Sequence, residues 1–80
     1  SSPKPKKLSY KETLEWDGMD EAILKAEEVL DEAKVRLADP TIAANATKLQ
    51  ERMKEVDVAQ AEVDRLYARW AELEEKQSLS

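Results

Sequence analysis

Met19, Ile23, Ala26, Leu30, Ala33 and Leu37 follow one another at alternating steps of four and three residues. That spacing keeps every apolar side chain on one narrow stripe of an α-helix and is the seam of a coiled coil. Small Ala positions alternate with larger Ile and Leu, which lets two helices approach closely. A second run holds Ile42, Ala46, Leu49, Met53 and Val56 and continues through Val63, Leu66 or Tyr67, Trp70 and Leu73. Between Val56 and Val63 the seam can pass through Ala59 with a shortened step or through Gln60 with a regular one. The reading adopted turns Ala59 partly inward and leaves Gln60 on the flank.

Between the two runs, "LADPTIAAN" stops the first helix. Pro40 disfavours helical geometry at Asp39, while Asp39 and Asn45 can each cap a new helical turn. The fold expected is therefore all-α, an antiparallel hairpin of helix A over about 19–38 and helix B over about 45–76, with 78–80 as a tail. In front of it, "SSPKPKK" reads as an extended basic linker over 1–7. Ser9 and Glu12 have the S-x-x-E spacing of a capping box, so a short helix is expected over about 9–16, with a bend at Asp17-Gly18.

The two long helices do not match in length. About 20 residues of helix A span roughly 30 Å and about 32 of helix B nearly 50 Å. A short connection pairs them antiparallel and leaves the end of helix B, with Leu66, Tyr67, Trp70 and Leu73, uncovered. Leu8, Tyr10, Leu14 and Trp16 are the large apolar residues not yet assigned, and they are expected to fold onto that open end.

Composition supports this class. Of 80 residues 39% are charged, with one Gly, three Pro and neither Cys nor His, a balance that matches long helices. So short a chain forms one small domain. The missing Cys and His remove disulfide staples and the usual zinc ligands. There is no phosphate-binding G-x-x-x-x-G-K-[ST], no nucleophile with a base and no metal constellation, so catalysis and a resident cofactor are not expected in this segment. Pairs such as Glu27-Glu28 and Glu74-Glu75 read as solvated helix faces. No apolar run is long enough to cross a bilayer, and no signal peptide is recognisable. The expectation is a cytoplasmic, non-membrane monomer, excised from a longer chain because it starts at Ser rather than Met.

The net charge of -5 is unevenly placed: residues 1 to 11 carry four Lys and no acid. Such a local patch can attract phosphates within a Debye length of about 8 to 10 Å. Lys4, Lys6, Lys7 and Lys11 are either a phosphate-gripping arm or a solubilising linker. Arg65 and Arg69 lie at the open end, where they can join that arm or pack beside Trp70. Lys34, Arg36, Lys48 and Arg52 are expected to cluster near the hairpin tip as a weaker second surface, with intrahelical pairing to neighbouring acids as the simpler account. For Tyr10, Trp16 and Trp70, burial under the head-piece is favoured over stacking on bases.

"KKLSYKE" near the start, "LADP" in the middle and "LYARWAELEE" near the end resemble, in order and spacing, the C-terminal domain of Uup-type ABC-F ATPases of bacteria. Leu8, Ser9, Tyr10, Lys11 and Glu12, and Tyr67, Arg69, Trp70 and Leu73, match the family's motif positions. Many members have Pro near the bend where this chain has "WDGM". The resemblance implies an antiparallel coiled-coil hairpin following the second ATP-binding module, with ATP and Mg bound elsewhere in the parent protein. It also implies nucleic-acid binding, to DNA in Uup-type members, and ribosome association in the ABC-F class. The function expected is electrostatic contact with the phosphates of DNA or ribosomal RNA, without sequence reading. The rival is a structural rod that contacts the ribosome or the ATPase core, and a homodimer through an exposed seam is a third possibility.

Overall fold

A computed structural model describes residues 8–79. Three helices follow in order: α1 over Tyr10–Leu37, the short α2 over Pro40–Ala43, and α3 over Ala46–Leu79. Helices α1 and α3 pack along each other as an antiparallel hairpin, with α2 at the tip against α3. The rod measures 62 × 17 × 17 Å. The all-α hairpin expected from the periodicity is the fold observed; residues 1–7, read as the linker, lie outside the described residues.

Each helix starts where a side chain can accept an otherwise unpaired backbone amide. At α1 the capping box is complete: the Glu12 amide donates to Ser9 Oγ at 3.2 Å, and the Ser9 amide donates to Glu12 Oε1 at 3.0 Å. Asp39 Oδ1 accepts from the Thr41 amide at 2.9 Å to begin α2, with Pro40 in its first turn. Asn45 Oδ1 accepts from the Lys48 amide at 3.1 Å to begin α3.

One expectation is corrected. No separate helix over 9–16 and no bend at Asp17-Gly18 form, because α1 runs unbroken from Tyr10 to Leu37. Gly18 keeps a negative φ. A glycine inside a helix costs only about 1 kcal/mol relative to Ala, and burial of the turns before it outweighs that. The lid over the long arm of α3 is thus the first two turns of α1 itself. The other boundaries shift slightly: α1 stops at Leu37, α3 starts at Ala46, and it extends to Leu79.

The unbroken helix also decides which residues reach the core. Stepping back from Met19 by threes and fours, the seam passes Trp16 and Glu12, so Tyr10 and Leu14 turn away. They are 78% and 54% exposed rather than folded onto the open end as expected, while Leu8 and Trp16 do pack against the core. That core joins Met19, Ile23, Ala26 and Leu30 to Ala59, Val63, Leu66 and Leu73. Ala33 and Ile42 are buried nearer the tip.

On α3 the seam runs Leu49, Arg52, Val56, Ala59, Val63, Leu66, Trp70, Leu73, with regular steps of three and four. Ala59 is inward and Gln60 exposed, as read from the sequence. The irregular step disappears because Arg52, not Met53, occupies the seam; Met53 and Ala46 face solvent. The long Arg stem can lie along apolar surface while its head reaches a carboxylate at the edge.

Candidate nucleic-acid interface

The cations singled out in the sequence fall into two groups. At the open end, Arg69 is enclosed by acids. Its Nε and Nη2 donate to the two oxygens of Glu15 at 2.9 and 3.0 Å, and its Nη1 donates to Glu72 Oε1 at 2.9 Å. Glu12 Oε2 lies 3.6 Å away and also accepts from Lys76 Nζ. This two-pronged arginine contact is the strong form of an ion pair. It holds the Arg69 guanidinium well above its ordinary pKa, chiefly through Glu15 and Glu72. The hydrogen bond from Lys76 lowers the Glu12 carboxyl, and that from Arg69 lowers Glu15. Arg65 is likewise paired with Glu62, at 2.9 and 2.7 Å.

Arg65 and Arg69 are therefore engaged with carboxylates, and Arg69 binds the start of α1 to the far part of α3. The sequence reading missed Glu12, Glu15 and Glu72 as their partners. The signal was available: a helix continuous through Gly18 carries Glu12 and Glu15 to the flank facing Arg69. Lys11 is exposed on the first turn of α1. Lys4, Lys6 and Lys7 lie outside the described residues.

At the tip, Arg36 and Arg52 converge from the two helices on one carboxylate, that of Glu55. Arg52 Nη1 donates to Glu55 Oε2 at 2.6 Å, and Arg36 Nε stands 3.7 Å from Glu55 Oε1. Lys34 and Lys48 are exposed and make no ion pair with the other described residues. Of the four cations expected to cluster, Arg36 and Arg52 meet through Glu55; Lys34, Lys48 and Lys54 lie towards the same end of the hairpin.

Charge along the rod separates accordingly. Residues 34 to 54 contain five cations, Lys34, Arg36, Lys48, Arg52 and Lys54, against two acids, Asp39 and Glu51. The rest of the described rod carries five cations, Lys11, Lys25, Arg65, Arg69 and Lys76, against sixteen acids. The tip is thus less acidic than the shaft, with Glu55, the acid that meets Arg36 and Arg52, at the boundary between them. Among the described residues there is no acid, His or Cys cluster that could hold a metal ion, and no helix long and apolar enough to cross a membrane.

Residues 7–75 match the family model described as the ABC transporter C-terminal domain. This chain belongs to that family. The chain is 32% identical over 81 residues to a protein of Haemophilus influenzae named ATP-binding protein Uup-like, covering all of this chain and 18% of that protein. It is 37% identical over 70 residues to the Bacillus subtilis uncharacterized ABC transporter ATP-binding protein YfmR, covering 88% of this chain and 11% of the relative. It is 32% identical over 80 residues to the H. influenzae ATP-binding protein Uup, covering 99% and 12%. No solved structure matches the chain. The ABC transporter C-terminal domain described here, of the Uup-type ABC-F kind, thus spans between 11% and 18% of the length of these relatives. It contains no nucleotide-binding motif of its own.

Proposed function

We propose that this C-terminal domain is a non-catalytic nucleic-acid-binding appendage of a cytoplasmic ABC-F ATPase, which grips backbone phosphates with the hairpin tip. The observation that carries the reading is the concentration of Lys34, Arg36, Lys48, Arg52 and Lys54 at one end of an otherwise acidic rod. Phosphates are drawn to the tip and repelled by the shaft, so the rod approaches a polyanion end-on. Backbone contacts of this kind hold DNA or ribosomal RNA without reading sequence. Lys11 adds a cation on the first turn of α1, and Lys4, Lys6 and Lys7 precede it in the sequence. Arg69 serves the fold, since its guanidinium already meets Glu15 of α1 and Glu72, and Arg65 pairs with Glu62 on its own helix. ATP and magnesium belong to the rest of the parent protein in this reading.

With about four phosphates neutralised, log affinity for duplex DNA falls with log salt at a slope of roughly -3 to -4. Titration of a labelled duplex and of a ribosomal RNA hairpin at two ionic strengths tests this. Replacing Lys34 and Lys48 by Ala should weaken binding and flatten the slope. Absence of binding at low salt, or binding indifferent to both substitutions, would refute the tip as a phosphate grip.

The saturated arginines of the open end favour one rival, a structural rod that meets the ribosome or the ATPase core through protein contacts. Competition separates the two readings. Free duplex displaces a phosphate-gripping tip from its target, whereas a protein contact survives it.

A further inference from the structure

A shallow cleft of about 650 Å³ runs along one side of the hairpin, floored by Val29, Ala33, Val58 and Ala59. Val29 and Val58 are 53% and 64% exposed there, although both stand beside the buried seam. Two charged residues on its rim, Glu51 and Lys54, form no ion pair with the other described residues. Within it, Glu55 Oε1 has no hydrogen-bond partner, Arg36 Nε being 3.7 Å away. An apolar floor edged by two charges without ion-pair partners, Glu51 and Lys54, is the form of a surface that receives another helix.

The order of charges along α3 indicates which helix. Glu51, Lys54, Val58, Glu62 and Arg65 share one stripe of α3, at heptad-related spacings. A two-fold axis through Val58 would set a second α3 antiparallel to the first, so that a residue n positions before Val58 faces one n positions after it. Lys54 then faces Glu62 of the second copy, four residues on either side. Glu51 faces Arg65, seven on either side. Both pairings have opposite signs and occur twice by symmetry; each gives a partner to a rim charge, Lys54 or Glu51, that has none within the monomer, while Glu62 and Arg65, which bond each other in the monomer, share or exchange that bond. We infer that this cleft is a self-association surface, in which two copies of the hairpin pack antiparallel across Val29 and Val58 with Lys54–Glu62 and Glu51–Arg65 pairs fixing the register.

The surface is small. From Glu51 to Arg65 the stripe runs about 21 Å on a rod 17 Å wide, which belongs with weak, transient interfaces rather than permanent ones. Rim ion pairs of this kind set orientation more than affinity. The dimer forms in the upper micromolar range and its two tips point in opposite directions. It needs no nucleic acid, so it stands or falls separately from the phosphate-gripping role of the tip.

Sedimentation equilibrium of the 80-residue chain between about 10 μM and 1 mM, in low salt and without nucleic acid, tests the inference. The parent chain should move from monomer to dimer. Lys54→Glu alone puts Glu against Glu62, and Glu62→Lys alone puts Lys against Lys54; each should weaken self-association at least tenfold. Mixed in equal amounts, the two variants should pair with each other, because in the mixed dimer one Lys54–Glu62 contact is kept and the other is restored with its signs reversed. Far-UV circular dichroism confirms that each variant remains helical. A parent chain that stays monomeric at 1 mM overturns the inference, as does a variant that self-associates like the parent. A mixture that remains monomeric also overturns it.

Discussion

The indole rings of Trp16 and Trp70 stack with centroids 5.7 Å apart and planes 14° from parallel. Trp16 lies on the first turns of α1 and Trp70 on the far part of α3, so this contact, with the Arg69–Glu15 pair, closes the hairpin over its longer arm. Both rings are half-buried against the core cluster. Truncating Trp16 to Ala should cost about 2 kcal/mol, below the full penalty for a buried Trp because part of the ring is already wet. A urea melt measures it. Loss of the near-ultraviolet dichroism of the pair should accompany the substitution, with most far-ultraviolet signal retained.

Gly18 sits inside α1 with a negative φ, and a Cβ built on it meets nothing within 4 Å. Nothing in the folded chain requires glycine there. Gly18→Ala should therefore stabilise the hairpin by up to about 1 kcal/mol, through a better helix propensity and a less free unfolded chain. A rise in the thermal midpoint checks this; a fall would mean that the helix bends at this point in solution.

That same glycine marks what the sequence could and could not show. The repeating steps of three and four located both long helices, and capping residues Ser9, Asp39 and Asn45 located their starts, because these signals act over one or two turns. Whether α1 continues through Asp17-Gly18 depends on a balance between a local propensity cost and burial of Trp16 on a residue 54 positions away. Spacing alone cannot weigh the second term. The error then propagated: a bend permits Tyr10 and Leu14 to reach the open end, whereas a straight helix presents Glu12 and Glu15 there and commits Arg69 to them. That Arg36 and Arg52 meet across the hairpin near the tip was legible because a short connection forces their two helices side by side there whatever happens at the other end.

The capping box at Ser9 anchors the lid. Ser9→Ala removes the acceptor for the Glu12 amide and should cost about 1 kcal/mol. The loss should concentrate at the start of α1, so hydrogen exchange should quicken over the first turn while the amides around Leu30 stay protected.

Acid should loosen the rod from the same end. Glu12, Glu15 and Glu62 are held below the ordinary glutamate range by hydrogen bonds from Lys76, Arg69 and Arg65, and Asp39 is lowered by the Thr41 amide. A folded pKa below the unfolded one gives stability that is fully present above the unfolded value, about 4.3 for Glu and 3.9 for Asp. It is lost as pH falls through the folded value. Relief of repulsion among the many shaft carboxylates acts the other way, so single substitutions are needed to isolate the network. Comparing urea midpoints from pH 7 to pH 2.5, the chain with Glu15→Gln should show a smaller loss below pH 4 than the parent. Equal losses would mean that the Arg69 contact contributes nothing in solution.

Leu73 and Leu24 give the sharpest test of the seam, because they have the same chemistry and opposite surroundings. Leu73 is fully buried at 0% exposure, beyond the stretch of α3 that a helix starting at Met19 could cover, while Leu24 is 56% exposed on the outer face of α1. Leu73→Ala removes methyl groups from a closed site and should cost about 3 kcal/mol. For a domain of this size that is a large share of the total stability, which is roughly 5 to 10 kcal/mol at best. Leu24→Ala removes the same atoms from water-exposed surface and should change stability by no more than about 0.5 kcal/mol. Urea midpoints of the two variants measured side by side decide it. If Leu73→Ala proved as mild as Leu24→Ala, the first turns of α1 would not be covering the long arm of α3, and the stacked tryptophans could not be holding the hairpin closed.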